Sequence, residues 1–213
     1  YGLWDGAFTR SPFVARIVEA ARPAAEGGTE SLCVLAEAAD GTVVSQALYA
    51  RALTAVESTY RSAPGTPADA LVAALSAANG MLFQRNLRAD GAHRAALNLG
   101  AAAVMGRSIT VGLLGAIHLC GALAGRALLV PEDSPWLESM AAAGEVQPPA
   151  GRLGTASPRL FAAELGSGDI LALVTANLAR SMPVPDLVSM LMQGSDATRA
   201  RLAPLGSDEN WCA

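Results

Sequence analysis

The chain of 213 residues, 52% hydrophobic and 16% charged, has enough apolar surface for one packed domain and too little charge for a disordered one. Its formal net charge of -4 leaves no cationic excess for phosphate backbones, so neither nucleic acid nor an anionic membrane surface is an expected partner. All 15 basic residues are arginine, and the absence of lysine removes the phosphate-loop lysine, the Schiff-base lysine and the Ser-x-x-Lys hydrolase together.

Cys33, Cys120 and Cys212 are far apart and form no Cys-x-x-Cys pair, and His93 and His118 lack metalloprotease spacing, so reduced thiols, a cytoplasmic location and no sequence-evident zinc site are expected. The start at Tyr1, without a basic-then-apolar leader, reads as a processed or excised chain. Residues 109 to 130 are long and apolar enough to suggest a membrane span. Glycines at 112, 115, 121 and 125 and a central His118 fit strands separated by turns better.

In chain order, residues 31 to 39 read as a strand delivering Asp40-Gly41. A helix follows from about Thr42 to Ser62, and a second from Thr66-Pro67-Ala68-Asp69, where threonine caps and proline opens the first turn. Leu71, Leu75, Ala78 and Leu82 line its apolar stripe. Beyond the polar loop RNLRADGAHR, segments near 97 to 105, 108 to 114, 116 to 123 and 126 to 131 are too closely spaced for helical crossovers and predict an antiparallel meander. A loop and short helix around Trp136, Leu137 and Met140 come next. Residues 159 to 165 and 169 to 175 predict another strand pair, and helices are expected near 177 to 182, 184 to 193 and 195 to 203. Strands and helices in blocks imply an α+β protein with antiparallel sheets in a single domain.

Several strings in this order resemble the type 2C, metal-dependent serine/threonine protein phosphatases. VLAEAADG (34 to 41) resembles the family's strand ending in Ala-Asp-Gly, and ALSAANGMLFQRN (74 to 86) its second helix. IHLCGALAGRALLV (117 to 130) resembles the central hairpin, and LGSGDILALVTANLARSM (165 to 182) the strand running into Ser-Asp-Gly-Leu. GSDENWCA resembles the final Asp-Asn turn. The resemblance covers the chain from about residue 31 and implies a four-layer α-β-β-α sandwich, with two Mg²⁺ or Mn²⁺ ions held by carboxylates at the sheet edge and a water activated between them.

Carried over residue by residue, the resemblance makes Asp40 the bridging ligand, Gly41 a carbonyl donor, and Glu209, or Asp208 by a one-residue slip, the last carboxylate. Ala176 stands where Ser-Asp-Gly-Leu has its aspartate, and Ala124 where Gly-Asp-Ser-Arg has its own, so both positions are lost. No Arg-x-x-Asn-Glu-Asp string is present; Arg16 or Arg22 would be remote equivalents of the phosphate-binding arginine, and Glu26 or Glu30 of its acidic neighbour. Two divalent ions about 4 Å apart repel by about 16 kcal/mol at an effective dielectric of about 20, so two carboxylates are too few to hold them.

The expectation is therefore a catalytically degenerate member, a pseudophosphatase acting as a regulatory or protein-binding module in signalling, with no catalytic residue and no cofactor. The alternative is an active serine/threonine phosphatase with a reduced or relocated Mn or Mg site, supported if Glu26, Glu30 or Asp208 lies near Asp40. A structural domain cut from a larger chain is the third reading. Simpler roles are also open: Asp40 as cap of the helix after it, Asp169 as shaper of its own turn, His118 as a core imidazole, His93 as a solvated side chain, and Trp4, Trp136 and Trp211 as core anchors or partner contacts.

Overall fold

The computed structural model describes residues 13–23, 28–39, 42–130, 147–194 and 198. Along the chain run β1 (Phe13–Pro23), β2 (Thr29–Ala38), α1 (Gln46–Ser62), α2 (Pro67–Asn86), β3 (Leu97–Met105), β4 (Ser108–Leu114), β5 (His118–Leu123), β6 (Arg126–Val130), β7 (Arg159–Glu164), β8 (Ile170–Val174), α3 (Ala176–Ser181) and α4 (Val184–Met192). The strands make two sheets, in the orders β1-β2-β3-β4-β7 and β6-β5-β8, with every pairing antiparallel.

Side-chain alternation on the strands builds the layers. On β2, Leu32, Val34 and Ala36 face the helices, whereas Cys33 and Leu35 face the second sheet. The outer layer takes its stripe from Leu48, Ala52, Leu53, Val56 and Tyr60 of α1 and from Leu71, Leu75, Ala78 and Leu82 of α2. Between the sheets lie Leu35, Val111, Leu113, Ile117 and Leu119. On the far side, Leu187, Val188 and Leu191 of α4 cover Cys120, Leu129 and Val174. The result is the α-β-β-α sandwich, α+β with antiparallel sheets. No helix among the described residues is long and apolar enough to cross a membrane. Residues 109 to 130 form parts of three strands and their turns, as the glycine spacing predicts.

Three features differ from the sequence reading. Residues 97 to 130 are not one meander: at Gly115, φ +82, the chain leaves the first sheet, and β5 opens the second. β7 and β8 are not a pair either. β7 adds to β4 and β8 to β5, so the Gly166–Asp169 turn is a crossing between sheets. β1 is an added strand whose alternation is hidden by a bulge between Val18 and Arg22, where Ala20 has φ 48. The short helix around Trp136, the stretch 195 to 203 except Thr198, and Trp4, Trp136 and Trp211 lie outside the described residues.

Candidate functional site

The C-terminal end of β2, the start of β3 and the turn into α3 meet at one edge of the sandwich, and Glu37 joins them. It shares the inward parity of Cys33 and Leu35 and is 1% exposed. Its Oε2 accepts the Ala176 N–H at 2.9 Å and an N–H of the Asn98 carboxamide at 3.2 Å. Asn98 is its direct cross-strand partner, and the Asn98 Oδ1 accepts the Ala116 N–H at 3.0 Å. A single buried carboxylate thus ties β2 and β3 to the residue that opens α3, and through Asn98 to the crossing between sheets.

Neighbouring contacts hold the same edge. Ala39 N–H donates to Ala96 O at 2.9 Å, and the Thr42 hydroxyl donates to Ala39 O at 2.6 Å, returning the chain to the end of β2. Burial raises the Tyr49 phenol well above its ordinary range; the Glu37 charge adds to the rise, and a backbone hydrogen bond at Ala38 opposes it. Thr175 caps α3 by accepting the Leu178 N–H at 3.2 Å.

Asp40, Gly41, Asp208, Glu209 and Glu26 lie outside the described residues. Ala176 is at this edge, buried beside Glu37. Ala124 is not. It occupies the β5–β6 turn at the opposite end of the second sheet, six residues along β5 from His118, or about 20 Å. The two positions read as lost together therefore do not belong to one site. Asp169 also does more than shape its own turn, since it accepts the Gly166 N–H at 2.6 Å and the Ala124 N–H at 2.8 Å, clamping the hairpin to the crossing.

Other candidates are committed elsewhere. Glu30 opens β2 at the end away from Ala38, a separation of about 27 Å along the strand, so it is not a neighbour of the Glu37 edge. It forms a buried two-point pair with Arg22 at 3.0 and 3.2 Å, accepts the Tyr60 hydroxyl, and lies where the guanidinium stacks over the Tyr60 ring. Arg22 also caps the end of α1 through Ala63 O and Gly65 O. Arg16 pairs with Glu57. Neither arginine stands at the Glu37 edge. The cap of α1 is Ser45, which accepts the Leu48 N–H at 3.3 Å, so the capping role considered for Asp40 belongs to another residue.

Glu37 itself has no place in the sequence reading. Its signal is an acid at inward parity in an apolar strand, which burial makes costly unless hydrogen bonds are waiting. His118, paired with Val174 on the face toward α4, is a buried imidazole whose pKa desolvation depresses to about 4. Burial drives the Cys120 thiol up to about 12, which leaves it a poor nucleophile.

Two sheets face to face, with helices outside each, define the class: the chain has the fold of the type 2C serine/threonine phosphatases. No protein-family model and no curated protein sequence matches it. Among solved structures it is similar to the serine/threonine phosphatase Stp1 from Staphylococcus aureus, at TM-score 0.73 and 13% identity over 94% of this chain and 84% of that one. It is also similar to the S. agalactiae serine/threonine phosphatase, at TM-score 0.66 and 16% identity over 93% and 87%. A third is the catalytic domain of PstP in complex with two manganese ions, at TM-score 0.64 and 17% identity over 91% and 90%.

The PstP structure of similar fold holds two manganese ions, and the described edge of this chain can be tested against such an ion. Among the described residues no three of His, Cys, Asp and Glu come together. At residue 176 the side chain is a methyl group, and the carboxylate beside it already accepts two N–H groups through one oxygen. The described part of the edge is built for hydrogen bonds and does not fit a divalent ion.

Proposed function

We propose that this domain is a pseudophosphatase: a phosphatase-like fold that serves as a regulatory, protein-binding module in place of hydrolysing phosphoesters. The observation that carries the reading is the environment of Ala176. The resemblance puts a metal-binding aspartate there, whereas this chain has a methyl group, and among the described residues the carboxylate beside it, Glu37, accepts the Ala176 N–H. A hard divalent cation needs a dense shell of oxygens, and among the described residues this edge supplies hydrogen-bond donors around one buried acid.

A second reading is an active serine/threonine phosphatase using Mn or Mg on Asp40, Gly41 and either Asp208 or Glu209. What favours it is the bound manganese in the PstP domain of similar fold. Hydrolysis of an aryl phosphate with and without millimolar Mn²⁺ separates the two. The first reading expects the background rate in both conditions; a metal-dependent rate lost in Asp40→Ala establishes the second.

A further inference from the structure

The polar loop after α2, with the loop at Gly151–Leu153, forms a surface that the hydrolase question leaves untouched. Asn86, the last residue of α2, is 6% exposed and acts as a hub. Its carboxamide N–H groups donate to Ala95 O at 2.6 Å and Gly151 O at 3.0 Å, and its Oδ1 accepts the Ala95 N–H at 3.0 Å. One buried side chain thus fixes three backbone segments together, and each carries an arginine next to the hub: Arg85, Arg94 and Arg152. Arg88 lies within the next turn, its N–H bonded to Arg85 O. Arg85 reaches across to His93 O at 2.9 Å, which ties the loop to the helix end.

Two properties mark this surface as more than solvated charge. First, none of the four arginines forms an ion pair among the described residues; Arg51, Arg107 and Arg126 also form none, but here four such guanidiniums are gathered in two loops joined by one hub. The loop's single carboxylate, Asp90, stands against four guanidiniums. Complementing the carbonyls at the end of α2 accounts for Arg85 and leaves the others in excess. Second, two exposed large apolar residues adjoin the arginines in the chain: Leu87, 61% exposed, beside Arg88, and Leu153, 53% exposed, beside Arg152. Guanidiniums recognise carboxylate and phosphate oxygens in pairs, and arginine is enriched at protein interfaces where an apolar contact lies beside it.

We propose that Arg85, Arg88, Arg94 and Arg152, with Leu87 and Leu153, form a docking surface for an anionic, leucine-bearing peptide segment of a partner protein. The proposal deepens the binding-module reading and rests on it for its purpose. It does not depend on metal chemistry, so failure here and failure there are separate results. Nucleic acid fits less well, because the chain as a whole is at -4 and two of the six patch residues are leucine.

The test uses the full chain and fluorescein-labelled 12-residue peptides: one of glutamate and leucine, one with phosphoserine replacing glutamate, and one with glutamine as a neutral control. Fluorescence anisotropy should show both anionic peptides binding at least tenfold more tightly than the glutamine peptide at 50 mM salt, and several-fold less tightly at 300 mM. The glutamate and phosphoserine arms tell carboxylate from phosphate preference. Arg88→Glu with Arg94→Glu and Arg152→Glu should weaken binding at least tenfold, and the milder Arg88→Gln, Arg94→Gln, Arg152→Gln set several-fold with an unchanged melting temperature. Leu87→Ser with Leu153→Ser should also weaken it. Equal binding of the neutral peptide, unchanged affinity in both arginine sets, or tighter binding of duplex DNA or phosphatidylserine vesicles would overturn the proposal.

Discussion

The Ala176 N–H points at Glu37 Oε2 across 2.9 Å, joining the start of α3 to the end of β2 between two sheets that share no strand pairing there. The same oxygen accepts from Asn98, so removing the carboxylate leaves two donors stranded in a buried site. Each stranded donor costs about 1 to 3 kcal/mol. Glu37→Ala should therefore lower unfolding free energy by about 2 to 6 kcal/mol in urea titrations, and Glu37→Gln by less, because its amide oxygen still accepts. Equal stability of Glu37→Ala and the parent would remove the proposed tie.

Restoring an acid at residue 176 probes the same contact from the other side. Ala176→Asp sets a second carboxylate against Glu37 with little solvent between them, and like charges so placed resist joint ionisation. Without metal the variant should lose about 1 to 3 kcal/mol. The loss should shrink on adding Mn²⁺ and should also shrink in the double variant with Glu37→Gln. A variant as stable as the parent without metal would show that the two positions do not sense each other.

How far the sequence reaches can be judged from these residues. The glycine turns and period-2 runs from Leu97 to Val174 place six strands to within about two residues, and Pro67 with Thr66 and Asp69 marks the start of α2 through a capping box present in the fold. Sheet membership was not legible, because a turn such as Gly115-Ala116-Ile117 can either return a strand to its neighbour or send it to another layer. Local residues do not separate those outcomes; the buried Asn98 that accepts the Ala116 N–H does. β1 was illegible because its bulge interrupts the alternation between Val18 and Arg22 and moves the register by two residues, which is what sets Arg22 opposite Glu30. Glu37 was missed for a related reason: its partners are 61 and 139 residues away and no local motif announces them.

Acid should loosen the fold through His118. Its pKa is about 4 in the folded chain against an ordinary 6.5, so the folded state favours the neutral ring. Stability from this group is complete above pH 6.5, declines as pH falls through the window from 6.5 to 4, and falls no further below it. The full loss is about 3 kcal/mol. His118→Phe should flatten that part of the pH–stability curve. An unchanged slope in the variant would assign the acid sensitivity elsewhere.

The β5–β6 turn holds Ala124 at φ 50 and Gly125 at φ 72, the two left-handed residues of a tight hairpin turn, and alanine is strained in the first place. Ala124→Gly or Ala124→Asn should raise stability by about 0.5 to 1 kcal/mol while keeping the N–H bond to Asp169. A drop in melting temperature for both would contradict the turn geometry.

The Arg22–Glu30–Tyr60 cluster is a second place where losing one carboxylate should be costly. Glu30→Ala leaves a buried guanidinium without its carboxylate and should cost about 3 to 5 kcal/mol, whereas Tyr60→Phe removes one hydroxyl and should cost about 1 to 3. Equilibrium unfolding of both variants checks the order, and a reversed ranking would show that the ion pair contributes little.

The central claim is that this fold works without a divalent ion, and thermal unfolding with and without 5 mM Mn²⁺ tests it most directly. A ligand confined to the folded state stabilises it by RT ln(1 + [L]/Kd), so a site filled at a hundred times its Kd adds about 2.7 kcal/mol, or several degrees in a chain of this size. The account predicts a gain below about 0.5 kcal/mol, unchanged by chelator. A reproducible rise of several degrees in Mn²⁺, reversed by chelator and lost in Asp40→Ala, would contradict it and establish a live metal site.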